Sequence, residues 1–161
     1  MNYVFDVDGT LTPSREAIDP KYALWFLNWC ETHPVYLVTG SDYAKSVEQL
    51  GTGILDAARA VYNCAGNAIY VKGQLVYKSD FVITDSLRTF LQELVKDNPY
   101  EVRTGNHIEE RIGLCNFSIV GRNANKKQRK AYAKYDALTN DRNRLVKLIN
   151  DTFPNVEAVV G

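Results

Sequence analysis

Tyr3-Val4-Phe5-Asp6-Val7-Asp8-Gly9-Thr10-Leu11-Thr12 is the stretch on which the reading of this chain turns. A short β-prone apolar run ends in two aspartates one residue apart, followed by Gly-Thr. Burying two carboxylates at a strand end is costly unless a cation or hydrogen-bond donors compensate. Magnesium would compensate, because it takes carboxylate and carbonyl oxygens and keeps waters for a phosphate. Gly9 and Thr10 suit a tight turn with exposed N–H groups, which favours an anion. A buried strand over residues 2–6, ending in a phosphoryl-transfer site, is therefore expected. In an extended segment residues n and n+2 point the same way. One carboxylate could then attack phosphorus, and the other could move the proton of the leaving or entering oxygen. Asp6 and Asp8 are the expected catalytic pair and the expected magnesium ligands.

The chain downstream repeats a strand–helix rhythm. Asp19-Pro20 marks a helix start, with Asp as N-cap and Pro at the first helical position. The helix should run over Lys21–Thr32 and stop at His33-Pro34. Its Trp25, Phe26, Leu27 and Trp29 leave little polar face, so both tryptophans are expected in the core. Val35–Val38 reads as a second strand, closed by Thr39-Gly40-Ser41-Asp42. A helix follows and should end at Gly51. Ala60–Tyr62 reads as a third strand, and Lys72-Gly73 as the turn of a hairpin between 68–71 and 74–77. Strand, helix, strand, helix, strand is the order of a parallel α/β sheet, whose ligands sit beyond the carboxyl ends of its strands. Asp6, Asp8, Thr39 and Ser41 all fall on that rim. A hydroxyl at the second strand end could hold a phosphate oxygen.

From about residue 81 the pattern becomes α+β. An amphipathic helix spans 84–96, with Leu87, Phe90, Leu91, Leu94 and Val95 on one face. An antiparallel pair turns near Ile112-Gly113. Helices follow near 126–135 and 141–153, then a last apolar stub at 156–160. The expected division is 1–80 for the core and 81–161 for an α+β cap.

Bulk properties narrow the function classes. The chain has 161 residues, 45% of them hydrophobic, with 19 basic and 19 acidic side chains. A balanced charge offers no case for a nucleic-acid or membrane partner. The basic residues 126, 127, 129, 130 and 134 read as a solvated helix face. No run approaches a transmembrane length, and residues 1–30 lack the basic start of a signal peptide. Cys30, Cys64 and Cys115 are odd in number and widely spaced, as expected of reduced thiols in the cytoplasm.

Asp6-Val7-Asp8-Gly9-Thr10-Leu11-Thr12 resembles the first motif of the haloacid dehalogenase (HAD) superfamily. There the first Asp is the nucleophile and the second the acid/base. Thr12-Pro13-Ser14-Arg15, Gly40-Ser41-Asp42-Tyr43-Ala44-Lys45, Glu48-Gln49-Leu50-Gly51, Ile108-Glu109-Glu110-Arg111, Asn116-Phe117-Ser118 and Gly121-Arg122 resemble segments of the eukaryotic-type phosphomannomutases. The resemblance implies a HAD-like Rossmannoid core with a cap, a magnesium cofactor, and transfer between mannose 1-phosphate and mannose 6-phosphate through an aspartyl-phosphate. It implies that Arg15 contacts the sugar phosphate, that the cap residues Arg111, Arg122 and Arg129 bind it, and that a homodimer could form through the cap; Thr39, Gly40 and Ser41 are the residues expected to bind substrate at the second strand end. Arginine forks suit phosphate better than lysine does.

The chain departs from that family in places. Thr39 stands where the family usually has Gly and is closer to the general phosphatase pattern. The family's Glu-Asn-Gly loop is Cys64-Ala65-Gly66 here. After the cap the family returns to its core for further strands and metal ligands, so the chain is expected to be a piece of a longer enzyme, with a weak metal site and an exposed sheet edge. A phosphatase of small phosphorylated metabolites, or an inactive sugar-phosphate-binding fragment, are the alternative readings.

Overall fold

A computed structural model describes residues 1–161. Contacts divide the chain into two units. The first holds residues 1–82 and 111–114, and the second holds 83–110 and 115–161.

The first unit is built on a five-stranded sheet. Its strands are β1 (Tyr3–Asp6), β2 (Val35–Val38), β3 (Ala60–Asn63), β4 (Ala68–Val71) and β5 (Gln74–Lys78), in the spatial order β1-β2-β3-β4-β5. β1, β2 and β3 pair in parallel, whereas β3–β4 and β4–β5 are antiparallel. The parallel α/β part expected from the sequence spans β1, β2 and β3, and the expected hairpin extends it with two antiparallel strands. The hairpin turn carries positive φ at Lys72 (46°) and Gly73 (73°), the geometry that matches strand twist in a two-residue connection.

Helices α1 (Pro20–Thr32) and α2 (Tyr43–Ala57) link the parallel strands. The Asp19 carboxylate accepts from the N–H groups of Lys21 and Tyr22, so the expected cap forms. Gly51 does interrupt α2, with φ 74° and ψ 157°, but the helix resumes and runs on to Ala57. That conformation is open to glycine and costly for other residues. The extra turn buries Ile54 and Leu55, and their apolar area favours resuming the helix.

The core of this unit lies on one face of the sheet. Val7, Val35, Leu37, Val61, Phe26, Leu50, Ile54 and Leu55 are buried there together. The face bearing Val4, Tyr36, Val38 and Tyr62 is open, forming a shallow groove of about 330 Å³. Trp25 is not a core residue, being 55% exposed. It stacks with Tyr22 and Trp29 along the outside of α1, and Trp29 stacks on His33 at 4.1 Å between centroids. Helical spacing puts these rings in one row, and stacking then satisfies part of the area that burial was expected to cover.

The second unit contains α3 (Asp85–Asp97), the hairpin β6 (Ile108–Arg111) and β7 (Leu114–Phe117), α4 (Lys126–Thr139) and α5 (Asp141–Thr152). The hairpin's tip, 111–114, groups with the first unit. The last apolar stretch forms no strand, but Asn150 exchanges two hydrogen bonds with the backbone of Ala158. Asp141 is 2% exposed. Its carboxylate accepts from Asn98 Nδ2, the Tyr132 hydroxyl and Arg144. Those donors replace the water that burial removes. Burial, with the hydroxyl's bond to Asp141 behind it, raises the Tyr132 pKa.

A raised tyrosine pKa gives stability that is whole below the unfolded-chain value of about 10 and is lost as pH climbs past it. Tyr132→Phe should cost about 1–2 kcal/mol near neutrality through the lost donor to Asp141. It should also reduce the fall in stability above about pH 10. Urea unfolding curves at neutral and alkaline pH measure both effects.

Candidate functional site at the strand rim

β1 and β2 run in parallel with Asp6 paired to Val38. Asp6 therefore ends its strand beside the residue that precedes Thr39. The register alone sets the first aspartate and the 39–41 loop at neighbouring strand ends, as expected from the sequence.

The two aspartates do not share one environment. Asp6 is exposed and its Oδ1 accepts from the Val7 N–H at 2.7 Å. Asp8 is half-buried and lies past the strand, where the chain turns. The expected pair of buried carboxylates is corrected in this respect, because the strand ends at Asp6 and only Asp8 enters the turn. Val7 is wholly buried, and its carbonyl is approached by the N–H groups of Thr10, Leu11 and Thr12 at 3.0–3.3 Å. Gly9, with φ 78°, closes the turn through its N–H to the Thr12 carbonyl at 2.7 Å.

Asp8 Oδ1 accepts from the Arg15 N–H at 2.6 Å and from Gln49 Nε2 at 2.9 Å. The Arg15 N–H bond holds the Asp8 carboxyl below the usual range. Burial acts against this, while the Gln49 amide and the charges of Arg15 and Lys45 reinforce it. Arg15 itself takes a left-handed φ of 65°, which aims its N–H at Asp8. Gln49, 2% exposed on the inner face of α2, also donates to Thr12 Oγ1 (3.1 Å) and the Glu16 carbonyl (3.3 Å). One buried amide thus ties α2 to the 8–16 turn.

The Thr39 N–H donates to the Tyr62 carbonyl at 2.9 Å, and Thr39 Oγ1 accepts from the Ser41 N–H at 3.1 Å. Gly40 is exposed, and a Cβ built there would meet nothing within 4 Å. Asp42 caps α2 by accepting from the Lys45 N–H. Arg111 Nη1, grouped with this first unit, donates to the Gly40 carbonyl at 2.6 Å. Asp6, Asp8, Arg15, Thr39, Gly40, Ser41 and Arg111 thus all fall in the first unit. Arg122 and Arg129 belong to the second. There Arg122 pairs with Glu109 at 2.5 Å, and Arg129 Nε donates to the Ala124 carbonyl.

The rim offers two carboxylates to a cation, with no group of three or more His, Cys, Asp or Glu side chains placed to hold one. That matches the least that magnesium requires, one or two carboxylates with waters and phosphate oxygens making up the octahedron. Asp8 Oδ1 is already occupied by two donors, so Oδ2 is the oxygen suited to metal or proton work. Burial raises the pKa of the Cys30 and Cys64 thiols, and that of Cys115 to about 11.

Reading the sequence assigned no role to Gln49 or to Asn63. The signal for each was a polar residue where the helix or strand period calls for an apolar one. Gln49 lies beside the buried Leu50 and one turn from the buried Ser46 on α2. Asn63 follows Ala60-Val61-Tyr62 at a strand end.

The family profile described as eukaryotic phosphomannomutase matches residues 26–160. A phosphomannomutase of Dendrobium officinale is 32% identical over 95% of the chain and 63% of its own length. One from Schizosaccharomyces pombe is 31% identical over 93% of the chain and 62% of its own. The chain spans under two thirds of the length of these curated relatives. Among solved structures, an IMP-bound mutant IMP-nucleotidase of Plasmodium falciparum aligns over 98% of the chain and 48% of its own, at 17% identity and TM-score 0.55. Aspergillus fumigatus trehalose-6-phosphate phosphatase aligns over 99% of the chain and 57% of its own, at 18% identity and TM-score 0.50. At such identities the likeness is one of fold, and it agrees with the expected α/β class.

Gln49→Leu should cost about 1–3 kcal/mol, since Asp8, Thr12 and Glu16 lose a shared donor inside the turn. It should also move the Asp8 titration to higher pH. Urea unfolding and carbon-detected NMR of the Asp8 carboxyl read the two effects separately.

Proposed function

The chain belongs to the eukaryotic phosphomannomutase family, and from that premise we propose that it transfers a phosphoryl group on hexose phosphates. The proposed reaction interconverts mannose 1-phosphate and mannose 6-phosphate through an aspartyl-phosphate, an acyl phosphate on Asp6. The observation that carries the proposal is the pairing of Asp6 with Val38, which puts a carboxylate next to the hydroxyl- and amide-bearing 39–41 loop.

In this reading an Asp6 oxygen attacks phosphorus, and the bond from phosphorus to the sugar or bisphosphate oxygen breaks. A proton from Asp8 goes to the departing oxygen. In the return step Asp8, now ionised, takes the proton of the entering sugar hydroxyl as that oxygen attacks the aspartyl-phosphate. The bonds that Asp8 accepts from Arg15 and Gln49 favour its ionised form, which is the form this second half needs. Thr39, Gly40 and Ser41 are proposed to hold the oxygens of the transferring group. Arg15, Arg111, Arg122 and Arg129 are proposed to bind the sugar phosphate. Asp6 and Asp8 would hold magnesium, which when bound would neutralise charge on the phosphoryl oxygens. Three free cysteines accord with a reducing compartment such as the cytoplasm. No helix is long and apolar enough to cross a membrane. Dimerisation through the second unit belongs to the same proposal.

Thr39 favours a second reading, with water as acceptor. Incubating the chain with mannose 1-phosphate, a hexose 1,6-bisphosphate and magnesium, followed by ³¹P NMR, separates the two. Mannose 6-phosphate is the expected product. Inorganic phosphate without the 6-isomer would assign water as acceptor, and an unchanged spectrum would reject catalysis by this chain. Asp6→Asn should abolish turnover, with the rate falling by about 10³-fold or more as the attacking oxygen is lost. Turnover retained in that variant would remove Asp6 from the nucleophile's place.

A further inference from the structure

Three consecutive residues at the end of β3 adopt left-handed backbone: Cys64 (φ 51°), Ala65 (φ 55°) and Gly66 (φ 91°). For a non-glycine residue this conformation costs roughly 1–2 kcal/mol. Its consequence is that two N–H groups turn toward the 39–41 loop. Ala65 N–H donates to the Thr39 carbonyl at 3.0 Å, and Cys64 N–H to the Ser41 carbonyl at 2.9 Å.

Asn63 adds a third donor. It is fully buried, and its Nδ2 donates to the Ser41 carbonyl at 3.1 Å and to Ser46 Oγ at 2.7 Å. Its Oδ1 is buried without a partner. Turning the carboxamide over would set that oxygen against the Ser41 carbonyl, so the donor orientation is the one the surroundings allow. Leaving a buried oxygen unsatisfied is costly.

A trans peptide carries its N–H on the edge opposite its C=O. With the carbonyls of Thr39 and Ser41 both drawn to the 63–65 turn, the N–H groups of Gly40 and Asp42 face the other way. Two N–H groups turned to the same side can donate to one anion, as at a helix N-terminus, and Asp42 is the residue that caps α2.

We propose that Asn63 is a positioning residue for the phosphate-holding loop. With the left-handed Cys64–Ala65 turn, it draws the carbonyls of Thr39 and Ser41 inward so that the N–H groups of Gly40 and Asp42 face the phosphoryl group. The proposal rests on the reading of residues 39–41 given under the proposed function. It also gives a use to the Cys64-Ala65-Gly66 segment: the backbone N–H groups carry the role, whichever side chains stand there.

The test is a titration of the ¹⁵N-labelled chain with inorganic phosphate in the presence of magnesium, followed by ¹H–¹⁵N NMR. In the unsubstituted chain the Gly40 and Asp42 amides should show the largest shifts. Asn63→Ala should weaken phosphate binding by about tenfold, the equivalent of one good hydrogen bond, and should shrink the Asp42 shift at saturation, because the Ser41 carbonyl loses one of its two donors. Ser46→Ala removes the other acceptor of Asn63 and leaves the Ser41 contact. It should cost stability but keep affinity and both shifts, which a merely structural role for Asn63 would not distinguish. Phosphate binding that moves other rim signals and leaves the Gly40 and Asp42 amides unmoved overturns the proposal without any variant, whether or not Asn63→Ala folds. A folded Asn63→Ala chain with the unsubstituted response overturns it too. A chain that binds no phosphate at all overturns the phosphoryl-transfer reading itself, and this proposal with it.

Discussion

The parallel ladder between β1 and β2 is the constraint on which the site depends. Its hydrogen bonds fix Asp6 opposite Val38, and everything at the rim follows from that pairing. A slip of one residue would turn Val35 and Leu37 out of the core and Tyr36 and Val38 into it. The same slip would move Thr39 away from the first aspartate. Burial of Val35 and Leu37 at 0% exposure therefore protects chemistry as well as stability. The apolar face that holds the register and the polar ends that could do the work are two aspects of one alignment.

Much of this unit was legible because its signals are local. Asp19-Pro20 reads as a helix start from two adjacent residues, and Lys72-Gly73 reads as a hairpin turn for the same reason. The rim was legible from strand ends alone, since polar residues close both apolar runs. What failed depends on partners far away in sequence. Trp25 reads as core by composition, yet it lies on an outer row of stacked rings. Gly51 reads as a stop, and it is a stop for one turn only, because Ile54 and Leu55 still have a core to enter.

The polar interior shows the same division. Gln49 and Asn63 resemble misplaced polar residues in an apolar pattern until their partners are known. Gln49 reaches Asp8, 41 residues away, and Asn63 reaches Ser41, 22 residues away. Asp141 in the second unit is a parallel case: its carboxylate would be intolerable at 2% exposure without Asn98, Tyr132 and Arg144. In each case a buried polar group joins elements that hydrophobic packing alone could hold in several ways. The difference lies in what is joined. The Asp141 network ties helix to helix, whereas Gln49 and Asn63 tie α2 and β3 to the two loops that face the rim.

That difference bears on how the rim can be preorganised without a large enclosed pocket. Asp6 is exposed and Gly40 is open to solvent, so the walls contribute little by excluding water. Precision has to come from behind. Asp8 is held by a left-handed Arg15 N–H and a buried Gln49 amide, and the 39–41 loop is held by donors from 63–65. Electrostatic stabilisation of a phosphoryl group is strongest when its donors need not reorganise as charge moves. Backbone fixed from beneath meets that condition even on an open surface, at the expense of a few strained φ angles and two orphaned amide oxygens, Gln49 Oε1 and Asn63 Oδ1. Both orphaned oxygens belong to side chains whose nitrogens contact the rim.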